Sequence, residues 1–207
     1  MNKKFLEKIL YGFLALGILG VLYVFYLETH KVEFARSRQL ASLLFDEVPL
    51  TLQERTKEEN CEPRGFLPDP ECTPGAIFEK ATLEEICTSG YTKKVRNVST
   101  KTRKKVYAMY NIHYPVPTGS YELDHFIPLA LGGNNDIANL FPESAKPSPG
   151  FKEKDVVEVY LYQEVCAKRI DLSAAQSQIV KDWVMIYNNL SPETISAIKN
   201  KYKSWSN

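Results

Sequence analysis

The sequence is poor in the residues that bind transition metals. Its 207 residues include four cysteines and three histidines, and no two cysteines form a CxxC pair. A structural zinc site takes four Cys or His ligands at short, regular spacings, so the composition argues against a zinc-knuckle protein. The even number of cysteines favours disulfides in an oxidising compartment. Four reduced, buried thiols are the alternative.

The chain also lacks an excess of charge of either sign. Lys and Arg total 26, Asp and Glu total 25, and the net charge is +1. This balance excludes a uniformly basic nucleic-acid coat protein, although it does not exclude local clusters of charge. Hydrophobic residues make up 44% of the chain, which excludes a mostly disordered protein. No internal repeat or low-complexity tract is present in the sequence.

One long hydrophobic run, residues 9–27, contains no charged residue and no proline. At about 1.5 Å per residue, a helix of this length spans the roughly 30 Å hydrocarbon core of a bilayer. We therefore predict an uncleaved membrane anchor. A cleaved signal peptide is the alternative, but the run is long for one and no small-residue cleavage site follows it.

The cysteines decide the predicted orientation, because all four follow the hydrophobic run. Disulfides persist outside the cytoplasm, so we expect a single-pass protein of the cell membrane with an extracytoplasmic C-terminal domain. Signal cleavage would give a secreted protein instead. The predicted organisation is a short cytoplasmic N-terminus at 1–8, the transmembrane helix at 9–27, a helical stalk and linker at 28–60, and a globular domain at 61–207.

The globular domain is predicted to be α+β and mainly helical. Thr82 and Glu85 form a capping box that begins a short helix, and Ser99 or Thr100 caps a second helix that ends near Tyr110. The centre of the domain then reads as strand, turn, strand and helix. This small unit is the predicted framework of a functional site.

The first strand of this unit covers residues 121–127 and contains the polar pair Asp124-His125. Alternation points these two side chains to opposite faces, unless a local twist or bulge brings them together. A histidine beside a carboxylate is a candidate general base, and a carboxylate oxygen suits Mg²⁺. A Gly-Gly turn at 132–133 lets Asn139 return towards the imidazole and fix its orientation. The helix from Phe151 onward is expected to form the third side of this site.

Five short motifs in this stretch keep a characteristic order and spacing. They are Asp124-His125, Pro128, Gly132-Gly133, Asn139-Leu140 and Pro142-Glu143. Together they resemble the HNH endonucleases, the His-Me finger group with a strand–strand–helix metal core. Other motifs between about residues 70 and 190 resemble a secreted or membrane-anchored bacterial branch of that group; among them are Cys72-Thr-Pro-Gly-Ala76, Lys154-Asp155 and Asp182-Trp183.

The resemblance implies hydrolysis of phosphodiester bonds in DNA, or in RNA. Asp124 would bind one Mg²⁺ or another divalent metal ion, His125 would be the general base that activates water, and Asn139 would support the imidazole. HNH enzymes take a last ligand, His or Asn, from the start of the helix, but the matching segment here contains neither. Glu153 or Ser148 is the predicted substitute, with water as the remaining choice.

A basic cluster precedes this unit in the sequence. Residues 93 to 105 contain seven Lys and Arg and no acidic residue: Lys93, Lys94, Arg96, Lys101, Arg103, Lys104 and Lys105. Such a cluster is able to follow phosphates without reading bases, so we expect DNA or RNA partners bound with low sequence specificity. A solvated helix face is the alternative. A catalytically inactive envelope or nucleic-acid-binding protein that retains the HNH fold is the alternative to the nuclease.

The predicted disulfides are Cys61–Cys72 and Cys87–Cys166. The first pair is close in sequence and flanks a segment rich in Pro and Gly that has no regular hydrogen bonding. The second pair ties the short helix before the basic cluster to the helix after the metal core. Four cysteines permit three pairings, and Cys72–Cys87 is the main alternative.

Overall fold

The structure is a computed structural model that describes residues 18–28, 31 and 50–202. The chain divides into two compact units, Met1–Leu43 and Leu44–Asn207. In the first unit, residues 18–28 are helical and their side chains are exposed. The second unit contains the cysteines and the predicted site.

The predicted membrane anchor is not upheld. Residues 9–17 of the predicted span lie outside the described residues. Among the residues that the structure describes, no helix combines the length and the apolar composition needed to cross a membrane. The predicted localisation as a single-pass protein of the cell membrane is therefore wrong. Most of the predicted helical stalk also lies outside the described residues, which resume at residue 50.

The second unit is α+β and mainly helical, as predicted. In chain order its elements are α1 (Leu83–Ile86), α2 (Tyr91–Val95), α3 (Thr100–Met109), β1 (Tyr121–His125), β2 (Leu140–Ser144), α4 (Phe151–Cys166), α5 (Leu172–Asn189) and α6 (Pro192–Lys201). Two 3₁₀ turns, Leu129–Leu131 and Ile137–Asn139, lie between the strands.

Local capping explains where several helices begin. The predicted capping box is present at α1, where Thr82 accepts a hydrogen bond from the Glu85 N–H and the Glu85 carboxylate accepts one from the Thr82 N–H. Ser99 caps α3 by accepting from the Thr102 N–H, and Ser191 caps α6 in the same way. These short-range hydrogen bonds satisfy N–H groups that have no partner inside a helix.

The two strands form an antiparallel hairpin, and α4 follows it. Tyr121 pairs with Ser144 and His125 pairs with Leu140. The buried face of β1 packs into a core that contains Tyr107, Leu123 and Phe141. Strand, strand and helix are therefore arranged in the predicted order, and the end of β1 lies against α4.

The buried carboxylate of Asp69 joins several groups of the segment before α1 by hydrogen bonds. Its side chain is 6% exposed, and its carboxylate accepts hydrogen bonds from the N–H groups of Glu62 and Glu71 and from Lys57 Nζ, each 2.9 Å long. Burial by itself would raise the pKa of Asp69, but these hydrogen bonds outweigh it and lower the pKa below 3.8. The charged form of Asp69 is therefore the one that stabilises the fold.

Replacing Asp69 with Asn should lower the free energy of unfolding by about 1–3 kcal/mol at pH 7, because its N–H donors lose a charged acceptor. A lowered folded-state pKa contributes stability above pH 3.8 that is lost as the pH falls through the folded pKa. Urea denaturation should show the deficit shrinking below pH 3.8. The exposed change Glu71→Gln is the control, and a deficit that did not change with pH would contradict this role.

Candidate functional site

The turn between the strands packs directly on the end of β1. A Cβ atom at Gly133 would lie 1.7 Å from the carbonyl oxygen of Ile127, and Gly132 has a φ of 80°. Both positions therefore favour glycine. The predicted Gly-Gly turn does fold the chain back, although it does so through the two 3₁₀ turns rather than a simple hairpin loop.

Asp124 and His125 make contacts on different sides of β1. The Asp124 carboxylate reaches Lys154 of α4, with 2.6 Å between Oδ2 and Nζ. The His125 imidazole reaches Asn135 in the turn, with 3.2 Å between Nε2 and Oδ1. The ordinary alternation of a strand is thus preserved, and no bulge brings the two side chains to one point.

Asn135 is the residue that orients the imidazole. Its Nδ2 donates to the Val95 carbonyl at 2.8 Å, and its Oδ1 accepts from the Asn97 N–H at 3.1 Å. These two backbone contacts determine which end of the amide is the acceptor. His125 Nε2 must therefore carry the proton and donate it to Oδ1, which leaves Nδ1 with the lone pair.

His125 is held in its neutral form. Burial disfavours the imidazolium more strongly than the nearby Asp124 charge favours it, which lowers the pKa of His125 to about 4. A neutral imidazole with a free Nδ1 lone pair is able to accept a proton. The imidazole is also deeply placed, since His125 is only 2% exposed.

Asn139, predicted to support the imidazole, supports the backbone instead. Its Oδ1 accepts from the Ile127 N–H at 2.8 Å, and its Nδ2 donates to the carbonyls of Ile127 and Asn134 at 2.9 Å each. Asn139 is fully buried. Its amide is committed to joining the end of β1 to the turn, and the predicted contact with His125 is made by Asn135.

Sequence reasoning missed Asn135, although a signal was present. It lies directly after Asn134 in the Gly-Gly-Asn-Asn turn, where asparagine is expected as a turn former. The contact between Asn135 and the imidazole does not follow from the sequence, because it depends on where Val95 and Asn97 lie in space.

A buried ammonium group lies at the centre of the site. Lys154 is fully buried, and its Nζ donates to Asp124 Oδ2 at 2.6 Å, to Glu158 Oε1 at 2.5 Å and to the His125 carbonyl at 3.0 Å. Glu143 Oε2 lies 3.7 Å away. We call Lys154, Asp124, Glu143, Glu158 and the His125 carbonyl the Lys154 cluster.

The cluster divides its carboxyl groups into charged and neutral ones. Burial would raise the pKa of Asp124, but the Lys154 charge holds it well below its usual range. Burial raises the pKa of Glu143 well above its usual range and raises that of Glu158 to about 8. Asp155 follows Lys154 on α4 and is not a member of the cluster, but burial and the nearby Asp124 charge raise its pKa to about 7. At neutral pH the ammonium is thus balanced mainly by Asp124.

The residues predicted to bind a divalent ion do not fit one. Asp124 Oδ2 is paired with Lys154, and its Oδ1 accepts from the His125 N–H at 2.7 Å. Glu153 does not join this site, because its carboxylate accepts from the Gly150 N–H at 2.9 Å and lies 3.8 Å from Lys199 Nζ.

Neither Ser148 nor position 150 supplies the missing ligand at the start of α4. Ser148 is exposed and its hydroxyl has no contact that brings it to Asp124. A Cβ at Gly150 would lie 2.6 Å from the Ser144 carbonyl oxygen, so no side chain fits there. A divalent ion about 4 Å from the Lys154 ammonium would be repelled by about 8 kcal/mol at an effective dielectric constant of about 20.

One other group of potential ligands converges in the described part of the chain, formed by Cys61, Asp69 and Cys72. The two sulfurs are joined in a disulfide, and a disulfide sulfur is not the thiolate that binds metals. The Asp69 oxygens accept hydrogen bonds from neighbouring donors. We therefore do not assign a metal to this group.

Both predicted disulfides are present, Cys61–Cys72 and Cys87–Cys166, and no described cysteine is free. The second joins the residue after α1 to the last residue of α4. Since α2 follows α1 closely, this bond restrains the basic cluster relative to the helix that carries Lys154. The pairs also indicate an oxidising environment.

The basic cluster lies on α2, α3 and the loop between them. Six of its seven side chains are exposed, and Arg103 is half-buried. Within the described residues, none of the seven forms an ion pair with a carboxylate. Arg96 lies near enough to His125 that its charge adds to burial in lowering the imidazole pKa.

Comparisons with known proteins leave the family open. No family model, curated protein or solved structure matches the chain. The HNH resemblance therefore depends on the sequence motifs alone.

The two asparagines of the turn should respond differently to replacement by Ala. Asn139→Ala should lower the free energy of unfolding by about 2–5 kcal/mol, because it leaves two buried backbone groups and one half-buried one without partners. Asn135→Ala should cost less stability but release the His125 ring, which ¹⁵N NMR would show as loss of the pure Nε2–H tautomer. Asn135→Asp keeps an acceptor for Nε2–H but loses the donor to the Val95 carbonyl, so it should keep the Nε2–H contact at a further cost in stability. An unchanged tautomer in Asn135→Ala would contradict the orienting role.

Proposed function

We propose that this chain is an HNH-type endonuclease that hydrolyses phosphodiester bonds of DNA, or of RNA, with low sequence specificity. One observation carries the proposal: the amide of Asn135 binds both the His125 imidazole and the backbone at Val95 and Asn97. A candidate general base is thereby joined to the segment that carries the exposed positive charge. A phosphate held by this segment would lie beside the base.

The basic cluster supplies the binding part of the proposal. Exposed Lys and Arg side chains that are not paired with carboxylates are free to contact phosphates, and such contacts release counterions. No element of the cluster presents a pattern suited to reading base edges. The expected substrate is therefore a nucleic-acid backbone rather than a particular sequence.

His125 supplies the chemical part. Its Nδ1 lone pair accepts a proton from a water molecule, whose oxygen forms the new bond to phosphorus. The bond between phosphorus and the leaving oxygen then breaks, and that oxygen takes a proton from solvent. The positive charge of Arg96 beside the imidazole favours the negative charge that develops on the phosphate. No step is assigned to a divalent ion, because the predicted ligands do not fit one.

His125→Ala should reduce plasmid nicking by about 10²–10⁴-fold, which is the usual loss for a general base. The full chain and the variant should be compared with His113→Ala, a matched change of an exposed histidine. Near-identical circular dichroism and melting of the proteins would show that the fold is retained. Nicking by a folded His125→Ala protein at the wild-type rate would contradict the assignment.

Replacing Lys101, Arg103, Lys104 and Lys105 together with Gln should weaken binding to duplex DNA. For every phosphate that the protein no longer neutralises, the slope of log affinity against log salt should fall by about 0.9. The control is a variant with the same change of charge at exposed lysines elsewhere: Lys80, Lys152, Lys168 and Lys181 to Gln. Equal slopes for the two variants would identify the cluster as an ordinary solvated surface.

A nucleic-acid-binding protein without catalysis is the second candidate function. The observation that favours it is the burial of His125, which is 2% exposed and has to be uncovered before its imidazole meets a substrate. This candidate predicts the same salt-dependent binding by the basic cluster but no nicking that depends on His125. The two assays above therefore separate the candidates.

A further inference from the structure

The oxygen atoms around Lys154 form the kind of donor set that hard cations select. Two carboxylate oxygens and one main-chain carbonyl oxygen accept from its Nζ, and a third carboxylate oxygen, from Glu143, lies 3.7 Å away. Carboxylate and carbonyl oxygens are the usual ligands of Mg²⁺ and Ca²⁺. Here they converge on the end of a lysine side chain.

The ammonium group uses its full capacity. A lysine has three N–H donors, and Asp124, Glu158 and the His125 carbonyl accept one each at 2.5–3.0 Å. Lys154 is fully buried. A metal ion would need the same two carboxylates and would have to displace the ammonium or lie beside it.

Glu143 adds a third carboxyl group to the oxygens that face the Lys154 ammonium. It is 4% exposed, no donor among the described residues gives a hydrogen bond to its oxygens, and its neutral carboxyl group shares a side-chain hydrogen bond with Asp124. Lys154 Nζ is the one cation within 4 Å of it in the described part of the chain.

We infer that the ammonium of Lys154 is the resident cation of this site, and that it takes the place that the sequence assigns to a divalent ion through Asp124. This occupancy stands whether or not the chain is a nuclease. Its consequence, that hydrolysis proceeds without a divalent ion, rests on the proposed function.

The inference predicts that removal of the ammonium frees a cation site. Lys154→Met keeps the length and apolar stem of the side chain but removes its charge. Asp124, Glu143, Glu158 and the His125 carbonyl would then be available to a metal. We expect this variant to gain one Mn²⁺ site with a dissociation constant of about 10–1,000 µM, in the range of oxygen-ligand sites.

Titration calorimetry and electron paramagnetic resonance with MnCl₂ test the inference on the full chain. The wild type should show no Mn²⁺ binding that depends on Asp124 or Glu153, so Asp124→Asn and Glu153→Gln should titrate as the wild type does. Lys154→Met should bind one Mn²⁺, and the double variant with Asp124→Asn should lose it. Mn²⁺ binding by the wild type that either single variant abolished would overturn the inference.

Folding of the lysine variant has to be checked by circular dichroism. A folded Lys154→Met protein that gained no Mn²⁺ would also overturn the inference. If the variant does not fold, the comparison of the wild type with Asp124→Asn and Glu153→Gln decides the question, because it needs no change at Lys154.

A nicking assay in Mg²⁺ and in EDTA separates this inference from the proposed function. Nicking that depends on His125 should proceed at the same rate in both buffers. If that nicking requires Mg²⁺, the resident-cation inference fails and the proposed nuclease stands. If no nicking is seen in either buffer, the proposed function fails, and the Mn²⁺ titrations still decide the occupancy of the site.

Discussion

The buried ammonium of Lys154 is the interaction on which the geometry of the site depends. It joins the Asp124 side chain and the His125 carbonyl of β1 to Glu158 on its own helix. The end of β1 and the first turns of α4 are therefore held at a fixed distance. Breaking a buried ion pair by removing one partner typically costs about 3–5 kcal/mol, because the other charge remains buried. The site and the local stability of the fold thus depend on one side chain.

The surrounding contacts hold His125 from the opposite side of the strand. Asn139 joins the turn to the backbone at Ile127, and Asn135 joins the same turn to α2 and to the imidazole. The Cys87–Cys166 disulfide restrains the segment before α2 relative to the end of α4. A rigid frame of this kind favours a defined orientation of the imidazole, which general-base chemistry needs.

The charge distribution of the site has two distinct parts. Inside, three carboxyl groups face a single ammonium: burial raises the pKa of Glu143 and Glu158, whereas the ammonium holds the pKa of Asp124 below its usual range. Outside, the Lys and Arg side chains of the basic cluster are mostly exposed and, among the described residues, not paired with carboxylates. The buried charges determine the protonation states of Asp124 and His125. The exposed charges suit the binding of a polyanion.

Much of the fold followed from local sequence signals. The capping box at Thr82 and the cap at Ser99 are as predicted. Both disulfide pairs are as predicted too, although the second joins residues 79 positions apart. Caps depend on residues three positions apart, so the sequence displays them directly. The hydrophobic run at 9–27 was interpreted by the same local reasoning, and there the membrane localisation drawn from it is wrong.

The site itself required the tertiary structure. The sequence alone determined that Asp124 and His125 lie together on a strand followed by a turn, a second strand and a helix. Only the tertiary structure decided that Asn135 rather than Asn139 contacts the imidazole, and that Asp124 pairs with Lys154 while Glu153 lies apart at Gly150. These contacts join residues 10 and 30 positions apart. Their partners depend on how the turn and α4 pack, which no short-range pattern encodes.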